Sequence, residues 1–320
     1  MNEKMIGSEL QKEKLAIKDL LLKYMAGDSH EHTVFSNPAT RHEADYTFEQ
    51  VFNYIKEEIN EGESQIQFVV FAEHPSDAGK PELVDGQALL EHQQQIKIFN
   101  EAQESGPKLI SGVESSIISA DGALDVPDEV LAQMELVIAS KHDLKSAFPE
   151  QNGKPSPEQL TNVYLNLMNN PNVDVIGHPN RYVGYDALGQ MDWPKLFETS
   201  KNTHTALEIN INAPMPDWLI KNAVKAGVPL FIGTDAHTLV EYQRLAEEEQ
   251  MAIETSDDRL EHPLGVKYSF WKKIVRILRV LEEANTPKDQ IITSSYESLN
   301  GWISTDKKDR NLILAENSGT

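Results

Sequence analysis

The sequence predicts an α/β fold built on a parallel sheet, and three observations carry that reading. Short apolar runs of strand length alternate with helix-like stretches, seven times along the chain. Histidines and carboxylates stand at the carboxyl ends of those runs, where parallel α/β barrels build their active sites. No linker rich in Gly, Ser or Pro interrupts the alternation, so the 320 residues read as one large unit.

Residues 1–26 read as an added N-terminal helix, because "SELQKEKLAIKDLLLKYM" places its apolar residues at helical spacing. The first strand is marked by "GDSHEHT" (27–33). Strand periodicity puts Asp28, His30 and His32 on one face. A helix follows in "TFEQVFNYIKEEINEG" (47–62), opening at a Thr N-cap and closing on Gly. The next strands are "IQFVVFA" (66–72), "PKLISGV" (107–113) and "ELVIAS" (135–140). Then come "VDVIG" (173–177), "TALEIN" (205–210) and "PLFIGT" (229–234). Between them lie "GQALLEHQQQIKIFNEAQESG", "SPEQLTNVYLNLMNN" and "MPDWLIKNAVKAG", all helix-like, the second with Pro at its first helical position.

Composition narrows the function. With 39% hydrophobic and 25% charged residues the chain is globular. It has no cysteine, which excludes disulfides, thiolate nucleophiles and Cys-rich zinc sites. The start is too charged for a signal peptide and no apolar run reaches membrane-spanning length, so the expected compartment is the cytoplasm, with no membrane partner. Lys and Arg are outnumbered 29 to 51, giving a formal charge of −22. An extended nucleic acid is a disfavoured partner for such a chain.

Six of the ten histidines fall at strand ends: His30, His32, His74, His142, His178 and His237. Glu114 and Asp235 end strands as well. His92, His204 and His262 read as surface or cap histidines, while the pattern alone leaves the role of His42 open. Imidazole and carboxylate without thiolate suit Zn, Mn or Fe. Seven or more ligands exceed the needs of one tetrahedral ion, so at least two are implied, with Glu114 a natural bridge. Paired metals activate water and clamp the oxygens of an in-line displacement, which is phosphoester chemistry. An amidohydrolase barrel is the rival, since Lys141 stands at the fourth strand end. Strand alternation sets it on the face opposite His142.

The order Asp28, His30, His32, His74, Glu114, His142, His178, Asp235, His237 resembles the polymerase and histidinol phosphatase (PHP) family of metal-dependent phosphoesterases. The resemblance covers about residues 26–300, closing on "EEANTPKDQIITSSYESLNGWI". It implies a distorted (β/α)7 TIM-like barrel over 26–305, with an N-terminal helical extension (1–25), a C-terminal tail (306–320) and two to three divalent metals. One metal is expected on His30, His32, Glu114 and Asp235, and a second on Glu114, His142 and His178. A third is expected on His74, His237 and His42. Two departures bear on that third site: Glu73 stands where the family usually has Asp, and the loop from His32 to His42 is long.

Arg181, three residues after His178, is the expected phosphate clamp, because a guanidinium grips phosphate oxygens in bidentate fashion. It joins Glu114, Asp235 and His237 as the expected catalytic set. Asn180 and Asn210 are expected to touch substrate, and Glu208 is expected to support a histidine or form a buried pair. The function expected is hydrolysis of a small phosphate monoester, resembling histidinol phosphate, by a metal-bound hydroxide. The alternatives are a nucleotide or oligonucleotide phosphodiesterase (an exonuclease), an amidohydrolase, and a metal-binding barrel without catalysis.

Overall fold

The computed structural model describes residues 16–17, 19–36, 44–59, 66–75, 81–237 and 268–304. Seven strands form one sheet in sequential order, every neighbouring pair parallel. They are β1 (Gly27–Glu31), β2 (Phe68–Glu73), β3 (Lys108–Ser116), β4 (Leu136–Ser140), β5 (Val175–Gly177), β6 (Ala206–Asn210) and β7 (Leu230–Gly233). The sheet curls until its ends meet. His32 N donates to Ala236 O (3.1 Å) and Asp235 N to His30 O (2.8 Å), so the segment after β7 is stitched to β1. This is the expected seven-stranded TIM-like barrel.

Local chemistry fixes the helices on its outside. Thr47 and Ser156 each form a capping box, with Gln50 and Gln159, at the starts of α1 (Phe48–Tyr54) and α4 (Pro157–Met168). Past Tyr54 the predicted helix continues as one π-helical turn, Ile55–Ile59. The remaining helices are α2 (Gly86–Ala102), α3 (Asp128–Leu131), α5 (Tyr185–Gly189), α6 (Trp193–Thr203), α7 (Asp217–Ala226), α8 (Tyr268–Glu283) and α9 (Tyr296–Ile303). Of the expected N-terminal helix, residues 16–17 and 19–24 are helical. The tail over 306–320 lies outside the described residues.

Side-chain parity explains where the site sits. One buried cluster takes Ala26, Phe68, Val70, Ala72, Ile110, Leu136, Ile138, Val175, Ala206 and Phe231, alternate residues from around the whole sheet. Only the barrel interior can collect them. Leu299 and Trp302, one turn apart on α9, join this cluster and close its amino-terminal end. Continuing each interior column two or four residues towards the carboxyl end leads to His30, His74, Glu114, His142, Glu208 and Asp235. Apolar filling therefore gives way to ligands along the same face of the same strands.

Candidate metal centre

Glu114, fully buried on β3, is the hub. Its Oε2 lies 3.5 Å from His30 Nε2, 3.6 Å from His32 Nε2 and 3.3 Å from His74 Nδ1. Its Oε1 lies 2.8 Å from His178 Nε2 and 3.3 Å from His142 Nε2. Asp235 Oδ1 is 3.4 Å from His32 Nε2, 3.3 Å from His237 Nε2 and 3.9 Å from His30 Nε2. Donors on a tetrahedral ion with bonds near 2.1 Å sit about 3.4 Å apart, so these separations are those of atoms sharing ions. Three overlapping donor groups occur among the described residues. They are His30, His32, Glu114 and Asp235, then His74, Glu114 and His142, and finally His32, His74 and His237.

The donor set fits metal on a second ground. His30 Nε2, His32 Nε2 and Glu114 Oε2 are buried and lack a hydrogen-bond partner among the described residues. Such groups are costly to bury unless something binds them. Their other ring nitrogens are held from behind. His30 Nδ1 meets Glu208 Oε1 at 2.6 Å, His32 Nδ1 meets Ser36 Oγ at 3.2 Å, and His142 Nδ1 meets Ser116 Oγ at 2.9 Å. A proton kept at Nδ1 of His30 by Glu208 leaves the Nε2 lone pair facing Glu114. Glu208 Oε2 also accepts from the His178 backbone N–H, so one carboxylate positions two histidines.

Electrostatics follow the geometry. Burial opposes ionisation of Glu114 and Asp235, yet the histidines around both hold them well below the usual carboxylate range. Burial also opposes charge on His30, but Glu208 and Glu114 outweigh it and push the imidazole well above its ordinary value. For His32 and His74 burial prevails, with neighbouring imidazoles adding to it, and both are lowered.

The backbone is specialised here too. His178 (φ 23°), Tyr182 (φ 59°) and Asp235 (φ 58°) all lie in the left-handed region, in loops that follow β5 and β7. Such conformations in non-glycine residues are held by surrounding structure and gather at functional sites. β1 carries a register irregularity between Asp28 and Glu31, beside the paired histidines.

Eight of the expected metal ligands thus converge: His30, His32, His74, Glu114, His142, His178, Asp235 and His237. His42 lies outside the described residues, and the donor found beside His74 and His237 is His32. Asp28 faces the seam instead, accepting from His30 N and Thr234 N at 3.1 Å each. Arg181 NH1 reaches Asp235 Oδ2 at 2.7 Å and is 29% exposed, at the mouth of the cluster.

Other expected residues have partners within the protein. Asn210 is fully buried, its amide donating to Glu208 and its oxygen accepting from Ala213 N, so it braces Glu208 rather than facing substrate. Asn180 Nδ2 donates to Ala213 O (2.9 Å) and ties two loops together. Lys141 Nζ donates to Arg181 O (3.1 Å) and lies 5.2 Å from the Tyr182 ring centroid, so its ammonium is engaged by the loop after β5, a role other than the amidohydrolase bridge.

His92 is buried, with Nε2 3.4 Å from Glu73 Oε1 and its ring stacked on Phe35. The surface reading fails because His92 shares the inward stripe of α2 with Leu89 and Ile96, a spacing visible in the sequence. Glu73 accepts from Thr33 N, Thr33 Oγ1 and Ser36 Oγ, so it binds the loop after β1 to β2. His204 caps α6 in a left-handed conformation and stacks on Trp302, and His262 lies outside the described residues. Ser36 and Ser116 were not anticipated. Ser116 stands two residues after Glu114 on the same strand face, so parity points to it, whereas Ser36 sits in a short 3-10 turn with no periodic signal.

The ordered ligands stand at the carboxyl ends of a seven-stranded barrel, around the two oxygens of one buried carboxylate. With its relatives, the chain is a PHP-like phosphoesterase. Relatives agree with the assignment. Over 240 residues this PHP-like chain is 30% identical to the DNA polymerase/3'-5' exonuclease PolX of Bacillus subtilis, covering 73% of the chain but only 38% of that protein. It is 23% identical over 292 residues to a probable phosphatase of Caldanaerobacter subterraneus, with 88% of the chain and 92% of the relative covered. A probable phosphatase of Thermoanaerobacter is 27% identical over 231 residues, 69% of the chain and 82% of its own length. No family model matches the chain. No helix among the described residues is long and apolar enough to cross a membrane.

Proposed function

We propose that this PHP-like barrel is a metal-dependent phosphatase that hydrolyses a small phosphate monoester, of the size and charge of histidinol phosphate. The observation that carries the reading is the division of Glu114, whose two oxygens face different histidines. Bound divalent ions would supply Lewis acidity and an activated water between those two donor sets. Their holders would be His30, His32, Glu114 and Asp235 on one side and His74, Glu114 and His142 on the other, where the expected ligand His178 lies with Nε2 2.8 Å from Glu114 Oε1 beside the second set. His74 and His237, with His32, offer a third position.

The chain's own groups do the rest. Arg181, already oriented by Asp235, presents its remaining N–H groups to the phosphate oxygens. Glu208 keeps a proton at His30 Nδ1 so that Nε2 remains a donor of electrons. In the reaction one water is consumed, its oxygen ends on phosphorus, the ester P–O bond breaks, and a proton passes to the leaving alcohol. Two relatives named probable phosphatases, aligned over most of their length, support a phosphatase. The relative whose name includes a 3'-5' exonuclease keeps phosphodiester hydrolysis as the second reading.

The test is a panel of histidinol phosphate, nucleoside monophosphates and a short single strand, each with Mn and with Zn. Monoester turnover should dominate. Arg181→Ala should lower kcat/KM by about 10- to 150-fold, the loss of a charge-assisted contact of about 1.5–3 kcal/mol, and the loss should persist at saturating metal. Faster cleavage of the single strand would hand the site to the exonuclease reading.

A further inference from the structure

The loop from β5 to α5 carries an aromatic residue that the apolar core does not explain. Five large hydrophobic side chains are exposed among the described residues, and Tyr182 and Tyr185 of this region are the most exposed, at 67% each. Tyr182 also holds a left-handed backbone (φ 59°), which is uncommon for a bulky aromatic residue. The loop beneath it is fixed from several sides. Arg181 N bonds to His178 O at 2.8 Å, Val183 N to Asn180 O at 3.2 Å, Asn180 Nδ2 to Ala213 O, and Lys141 Nζ to Arg181 O. A special conformation and a braced loop thus hold an exposed aromatic ring against two cations.

That ring stands beside Arg181, the proposed phosphate clamp. Its centroid is 5.2 Å from Arg181 Cζ and 5.2 Å from Lys141 Nζ, while Arg181 NH1 contacts the ligand Asp235. Two cations thus cover part of the ring and the rest remains open. A phosphate bonded to Arg181 would lie next to that open surface. Aromatic rings in such positions gain most by stacking a flat π-surface and little from a thin aliphatic chain.

We propose that Tyr182 is a stacking platform for the leaving group, so that the preferred substrates are monoesters of alcohols bearing an aryl, imidazole or nucleobase ring. The proposal rests on the phosphomonoesterase reading for its meaning, but binding tests it separately. Affinities of phenylphosphonate and methylphosphonate, which cannot be hydrolysed at a P–O ester, are measured by calorimetry on the full Mn-loaded chain. The aromatic ligand should bind the wild type about 5- to 150-fold more tightly, the range of one base-on-aromatic stack. Tyr182→Ala should bring that ratio to within about twofold of one, and Tyr182→Phe should keep it. Turnover of 2-phenylethyl phosphate against propyl phosphate should show the same ratio in kcat/KM. Equal affinities in the wild type, no binding of either ligand, or a ratio that survives Tyr182→Ala overturns the platform. A phosphonate preference that vanishes in Tyr182→Ala, without hydrolysis of any monoester, supports the platform and overturns the monoesterase.

Discussion

Glu208 shows how much of the centre depends on a residue that belongs to none of the donor groups. It touches His30 Nδ1, the His178 backbone and Asn210 at once, inside a fully buried pocket. Substituting Glu208→Gln keeps the shape and removes the charge that holds the His30 proton. Metal affinity should fall about 10- to 100-fold, as for other partners that orient metal-binding histidines. Elemental analysis after dialysis against graded chelator reads this, with circular dichroism as the control for folding. Retention equal to wild type would make Glu208 a packing residue only. At this scale the sequence was informative wherever parity operates. Alternation on β6 places Glu208 on the ligand face, and alternation on β4 separates Lys141 from His142. It was silent where a loop turns, as at Ser36, and misleading at Asn210, whose face is right but whose depth is set by Ala213 folding over it.

Elements meet closely at the seam between β7 and β1. A Cβ at Gly233 would lie 2.5 Å from His30 Cβ and 2.9 Å from Glu208 Oε1, so the bare backbone there is what lets His30 and Glu208 meet. Gly233→Ala should therefore cost about 1–3 kcal/mol of stability, as overpacked sites do, and reduce bound metal together with it. Denaturant melts of the metal-free chain measure the first and elemental analysis the second. Unchanged stability and full metal would show that the seam can open without cost. Strands were the legible elements, because buried parallel strands are short continuous apolar runs bounded by polar ends. Two of the longer helices escaped that reading for physical reasons. α6 buries only Trp193, Leu196 and Phe197 as large apolar residues, too few for a clear stripe, although Asp192 caps it and Pro194 opens it. α8 carries a clear inward stripe at Ile274, Ile277, Leu278 and Leu281, but no cap signal precedes it and the strand–helix rhythm has already ended at β7.

At the scale of the whole molecule two fields oppose each other. The chain carries a formal charge of −22, whereas the ligand set subtracts only the two charges of Glu114 and Asp235 from whatever divalent ions it holds, because histidine ligands bind neutral. Two ions leave a net +2 at the centre, and Arg181 adds one more beside it. A small ester that reaches the mouth experiences this local field. A long strand also lies along the acidic exterior, which repels it over about 10 Å at 0.1 M salt. The salt dependence should then have a sign opposite to that of ordinary nucleic-acid enzymes. A basic protein making 6–10 phosphate contacts loses about 10³–10⁵ in affinity between 50 and 200 mM salt. Here kcat/KM for a long single strand should rise across the same range, because screening weakens repulsion more than it weakens the short-range hold at the centre. Steady-state rates at four salt concentrations, with a monoester run beside the strand, measure both slopes. A steep fall for the strand would mean that a local basic track guides it despite the net charge, and the phosphodiesterase reading would then displace the monoesterase.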